Sequence, residues 1–460
     1  MRSRRESEGH VNADILTQRQ MALRLLVLAA PIIATNISRT AMSFIDFVMV
    51  SELGTDAQAA VMPAGLVLQC VIAFGVGTMA AVNTYASQSL GRGRLSDCSA
   101  YAWQGLYLSL ILGVLALPAW FAVEPFFTWV DHGPKVVPLQ VVYAQIGIFG
   151  IGPTIAAAAL AHFFTGVHKP GVGLVSVLIS NLLNVAANYA LIFGHWGFPK
   201  MGIAGAAWGT LAAVLCQMLI LLCWWMLPAF GARFGAWHTW RPNGARLKGL
   251  LLVGLPVGGQ FSVDLLTWTI YTLFLIGQFG KEQLAANNIC FKFLEISFMP
   301  AVGLGMALTA TIGKAIGQGR RDLARMYVRL GMIFTSSYMG VVGIAMILFR
   351  HELPGLLTQD ESVLAWAAPM MILGGCFQVF DGMTIVFNGA LRGAGDTAWP
   401  AVATVVCAAV VLLGGGYLLA LVFPAWGCLG PWMMATLYII VLGTILWARF
   451  ASGRWERVVL

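Results

Sequence analysis

Three aspartates stand inside long apolar runs of this 460-residue chain: Asp46 in MSFIDFVMV, Asp264 in GGQFSVDLLTW and Asp381 in GCFQVFDGMTI. A charge at the centre of a bilayer costs at least ~2.5–3.5 kcal/mol. A carboxyl group placed there can take up and release a proton near neutral pH. Ringed by further oxygens, it holds Na+ instead. A neutral Asn would tie helices together at lower cost, so three retained acids point to ion handling rather than packing. Asn184 and Asn188, in SNLLNVAANYA, are one helical turn apart and share a face, and Thr210 offers a hydroxyl. For these three, helix-to-helix hydrogen bonding and a functional role are equally good readings.

Three more charged residues lie within apolar runs: Arg39, Lys292 and Glu295. Lys292 and Glu295, in FKFLEISFMP, are an i, i+3 pair on one helix face. They form a static ion pair or else line a cavity, together with Asn287 and Asn288 on the same run.

The elements that carry these residues are transmembrane helices. The chain is 59% hydrophobic and 10% charged, with a mean hydropathy of +0.81. Soluble domains carry about 25% charged residues, and about 20 apolar residues span a bilayer. Twelve spans are predicted, at 22–49, 57–88, 99–122, 136–163, 170–194, 203–228, 247–278, 283–313, 326–349, 362–390, 398–423 and 429–449. Long alternating patterns are absent, which argues against a β-barrel. The net charge of +8 invites a nucleic-acid reading, but its distribution opposes one. With loops numbered alternately, only Lys135, Lys200, Lys281 and Arg350 of the 27 Lys and Arg fall on the far side, and Arg39 and Lys292 lie within spans. The positive-inside rule then puts both ends of the chain in the cytoplasm of a cell inner membrane. Residues 1–20 are basic and polar, unlike a cleavable signal peptide. The eight Cys form no CxxC pair; most lie within spans and read as free thiols.

The spans repeat. Gly91, Gly93 and Arg94 match Gly317, Gly319 and Arg320 at an offset of 226; Pro31 matches Pro256 at 225, and Gly166 matches Gly393 at 227. Each half holds six spans and starts on the same side, so the repeat is parallel. The expected division is a tail (1–21), an N-lobe (22–228), a linker (229–246), a C-lobe (247–450) and a second tail (451–460). Two such lobes rocking about a central cavity give alternating access. The GxG-Arg motif reads as a helix C-cap with positive-inside charge; it is no phosphate loop, as no strand precedes it and no GK[ST] follows. Pro31, Pro63, Pro256, Pro300 and Pro369 are candidate kinks. Eight residues after Pro256 comes Asp264, and eight after Pro31 comes Arg39, so the two are repeat mates of opposite charge. Arg39 is expected to neutralise a carboxylate in one transport state only, or to pair statically.

The segments LAAPIIATNISRTAMSFIDFVMVSELG, GHWGFPKMGIAGAAWGT, VGLPVGGQFSVD and FNGALRGAGDTAWP carry a family likeness. The chain resembles the MATE (multidrug and toxic compound extrusion) transporters, nearest the NorM branch, over nearly its whole length. The resemblance implies an all-α membrane protein of twelve helices in two lobes around a V-shaped cavity. It implies export of organic, cationic compounds in exchange for Na+ or H+, with no cofactor beyond the coupling ion. It places Asp46, Asn184, Asn188 and Thr210 at an N-lobe cation site that would take Na+, and Asp264 and Asp381 at a C-lobe acidic pair. Three features depart from the branch. Asp264 stands where relatives often have Glu, Asn188 where some have Asp, and Lys292 with Glu295 is unusual.

A lipid-linked precursor flippase of the same superfamily is the alternative. It would need a basic cavity for a pyrophosphate, whereas the six intramembrane charges are four acidic and two basic. Neither HExxH nor a nucleophile–base motif is present, which argues against an enzyme. A monomer is expected.

Overall fold

The computed structural model describes residues 18–458 and 460; the basic residues Arg2, Arg4 and Arg5 lie outside them. Among the described residues the chain is helical, with turns and no strand. Twelve helices are long and apolar enough to cross a membrane. We number them α1 (Gln18–Ser51), α2 (Thr55–Gly91), α3 (Leu95–Ala116), α4 (Val136–Gly166), α5 (Gly171–Phe193), α6 (Ile203–Met226), α7 (Gly244–Phe279), α8 (Lys281–Gly317), α9 (Arg321–Leu348), α10 (Glu361–Ala394), α11 (Ala398–Val422) and α12 (Leu429–Ala451).

The repeat is visible in the backbone. Helices α2 and α8, α3 and α9, and α6 and α12 start 226 residues apart, as the pairs Thr55/Lys281, Leu95/Arg321 and Ile203/Leu429 show. The caps agree: Gly54 has φ 104° and ψ 173°, and Gly280 has φ 101° and ψ 173°. Both need the left-handed region that a side chain resists.

The start of the first helix of each half packs into the opposite lobe. Met21, Leu25, Leu28, Ala29 and Ile32 of α1 belong to the apolar core built mainly by the C-half. Leu250 and Val253 of α7 belong to the core of the N-half. The lobes meet tightly at the arginine-bearing end. A Cβ on Gly91 would overlap the Lys314 carbonyl oxygen and come within 2.9 Å of the Gly317 Cα. A Cβ on Gly317 would in turn come within 3.0 Å of the Gly91 Cα. The matched glycines therefore face each other across the lobe interface, a role their C-cap reading did not include. Asn83 Nδ2 donates to the Met306 carbonyl (3.3 Å), Thr84 Oγ1 to that of Arg392 (2.9 Å) and Gln88 Nε2 to that of Gly393 (3.1 Å).

Towards the other end the lobes part. Residues Gly77–Ser89 of α2 are all buried, whereas Met62 is 65% exposed. On α8, Ala301 and Gly303–Gly305 are buried, whereas Ile296 is 64% exposed. The two helices thus pack on one another at the arginine end and grow more exposed away from it.

Two short helices run beyond the ends of predicted spans. A short helix, Ala119–Val130, follows α3. The linker carries another, Pro228–Phe234, and is pinned to α3: Trp103 Nε1 donates to the Ala236 carbonyl (2.8 Å), and Tyr107 bonds that of Trp240. It is a docked segment of the N-lobe rather than a free connection.

Candidate functional site

In the N-lobe, Asp46 and Asn188 come together. Asn188 Nδ2 donates to Asp46 Oδ1 (2.7 Å) and to Asn184 Oδ1 (2.9 Å). The α5 residues Asn184 and Asn188 are buried, and Asp46 on α1 is half-buried. With its amide nitrogen committed, Asn188 turns its Oδ1 towards Gly209 on α6, where no donor meets it. A buried acceptor without a donor is costly unless something else satisfies it. A Cβ on Gly209 would overlap that oxygen and displace the amide. One residue on, Thr210 Oγ1 donates to the Ala206 carbonyl (3.0 Å), leaving its lone pairs free. Asp46, Asn184 and Asn188 bring together oxygens of the kind hard cations prefer, while Thr210 bonds only within its own helix.

In the C-lobe, Asp264 on α7 and Asp381 on α10 are half-buried and lie within electrostatic reach of one another. Neither is in an ion pair among the described residues. Asp264 also feels Arg392, whose guanidinium lies over the Phe261 ring at 5.2 Å. One turn before Asp264, Gln260 Nε2 donates to Asn388 Oδ1 (3.4 Å) and Thr404 Oγ1 (3.0 Å), tying α7 to α10 and α11. The sequence reading missed this layer: Arg392 was absorbed into the positive-inside tally, and Gln260 looked like ordinary polar glue. Buried Tyr438, also missed, lies near both acids.

The remaining candidates divide. Lys292 Nζ and Glu295 Oε2 form an exposed ion pair at 3.0 Å. Asn288 is exposed, but Asn287 does not line a cavity. It is fully buried and accepts from Trp432 Nε1 (3.1 Å), because its face of α8 packs on α12. Arg39 is exposed and pairs with no carboxylate among the described residues; neither Asp46 nor its repeat mate Asp264 meets it.

Twelve helices in two matched halves, with carboxylates inside the membrane in both, define a duplicated membrane transporter. The MatE family model matches residues 31–190 and 263–418. The chain belongs to this family of transporters, which are not enzymes. It is 31% identical over 445 residues to "Probable multidrug resistance protein NorM" of Rhizobium meliloti (strain 1021), covering 94% of this chain and 93% of that one. It is 31% identical over 382 residues to "Multidrug resistance protein PmpM" of Pseudomonas aeruginosa, covering 81% and 78%. A solved structure described as the outward-facing conformation of a multidrug resistance MATE family transporter superposes with a TM-score of 0.87. It is 18% identical and covers 95% of this chain and 97% of that one. The two-lobe fold is thus shared.

Proposed function

We propose that this protein exports small organic cations across the inner membrane, in exchange for Na+ or H+, by alternating access. The observation that carries the reading is the placing of intramembrane carboxylates in both of two lobes that pack on one another at the arginine end. Asp46, with Asn184, Asn188 and Thr210, is the N-lobe cation site, and the unmatched Oδ1 of Asn188 supplies it with a further ligand. Asp264 and Asp381 form the C-lobe acidic site. The arginine-bearing end faces the cytoplasm, so the cleft between the lobes opens outward. Arg39, unpaired here, neutralises a carboxylate in the opposite state. The relatives' names as multidrug resistance proteins support a broad cargo range. One chain carries both lobes and acts as a monomer.

Exchange requires that the ion and the cargo differ in affinity for the two states. The test is ethidium efflux from proteoliposomes under separately imposed Na+ and proton gradients. Acceleration by one of the gradients is expected. Efflux indifferent to both would refute the reading.

A further inference from the structure

We propose that Lys292 and Glu295 form a dual-charge subsite on the C-lobe wall of the cleft, which selects cargo bearing both a cation and a carboxylate. The proposal rests on the transport function above and names a substrate class within it.

The direction in which the pair points follows from the helix. Eleven residues make about three turns. Eleven after Lys292 stands Gly303, which lies against Ile33 of α1. Eleven after Glu295 stands Met306, whose carbonyl accepts from Asn83 of α2. Met306 meets α2 of the N-lobe and Gly303 meets α1, whose start packs on the C-half core, so the pair projects from the face of α8 that meets the first two helices, about 16 Å further along. There the lobes have separated and that face borders the cleft. The lobe-core face of α8 is a different one, carrying buried Asn287, Cys290 and Ser297.

Exposure agrees with this placing: the side chains are 71% and 42% exposed, with no ion-pair partner but each other among the described residues. An exposed pair is held weakly and opens readily. The opposite wall does not repeat it. At the offset of 226 that relates α2 to α8, Lys292 corresponds to Leu66 and Glu295 to Gln69. The charges are therefore not a requirement of the shared scaffold.

Opening the pair exposes one cation and one anion on neighbouring turns. A cargo with an ammonium and a carboxylate satisfies both, the ammonium on Glu295 and the carboxylate on Lys292. A cargo with only a cation takes Glu295 and leaves Lys292 without its partner. The subsite thus favours small organic zwitterions over simple cations of the same shape.

The test uses the full-length protein in proteoliposomes with two probes, a fluorescent amino acid-type zwitterion and its methyl ester, which keeps only the cation. Binding of each to the detergent-purified protein is measured alongside. Wild type should prefer the zwitterion. Lys292→Gln should weaken its binding and transport about tenfold and, by freeing Glu295, leave the ester bound at least as well as in wild type. Glu295→Gln should weaken both probes. If Lys292→Gln affects the two probes equally, or neither, the subsite is wrong, while gradient-driven ethidium efflux still upholds the transport reading. If ethidium efflux fails but the binding preference and its loss in Lys292→Gln persist, the transport reading alone falls.

Discussion

At matching places the two lobes build different structures. In the N-lobe, Asp46 of α1 meets Asn188 of α5 in a polar knot within regular α-helix. In the C-lobe the corresponding stretches of α7 and α11 are π-helical, over Tyr271–Ile276 and Ala408–Gly415. They bring apolar groups together: Tyr271, Leu275, Ile276, Ala408 and Leu412 are all buried in the C-lobe core. The repeat offset shows how α7 came to differ. It is 225 at Pro31/Pro256 and 226 at Gly54/Gly280, so the stretch from Pro256 to Gly280 is one residue longer than its N-half counterpart. A single insertion into an α-helix is accommodated as a π turn. The C-lobe acids sit elsewhere, Asp264 before the π turn and Asp381 on α10. A duplicated scaffold thus holds one polar site with bonded partners and one pair of acids held apart.

The comparison is broken most forcefully from its apolar side. Leu412 is fully buried at the C-lobe counterpart. Leu412→Ala should cost about 2–5 kcal/mol of stability through the cavity left behind. Chemical or thermal unfolding would show it as a lowered midpoint, with the dependence of transport on the coupling ion unchanged. A changed ion dependence would mean that this region also handles ions.

A smaller effect is expected on the polar side. Gly209→Ala forces the Asn188 amide away from its present position, and with it the bond to Asp46. A hydrogen bond to a charged group contributes about 1.5–3 kcal/mol. The apparent affinity for the coupling ion, from the ion dependence of efflux, should fall about tenfold or more, with a smaller drop in midpoint than Leu412→Ala gives. Unchanged ion affinity would remove Asn188 from the site.

The helices were legible because their signal is additive over about 20 residues, and most predicted spans fall within a few residues of α1–α12. The repeat was legible from prolines and glycines, since these mark backbone geometry directly. Asp46, Asn184 and Asn188 were legible as a group only through the family likeness; spacing alone put the two amides on one face but did not aim them at Asp46. What stayed hidden depended on packing between distant segments. Nothing local to Gly91 says that Gly317 will lie against it. Nothing in the run of α7 distinguishes a π turn from an α turn, beyond one residue of drift in an offset. Asn287 and Asn288 are adjacent and alike, yet they lie on different faces, one against Trp432 and one exposed. The docked linker was missed for the same reason, since its bonds to α3 span more than 130 residues.

The central claim is that the N-lobe knot, and Asp46 above all, binds the ion that drives export. It is tested most directly by gradient-driven ethidium efflux from proteoliposomes carrying Asp46→Asn, set beside wild type with matched protein content and monodispersity. The account predicts that the imposed ion gradient no longer accelerates efflux. Wild-type acceleration from the Asp46→Asn protein would contradict it.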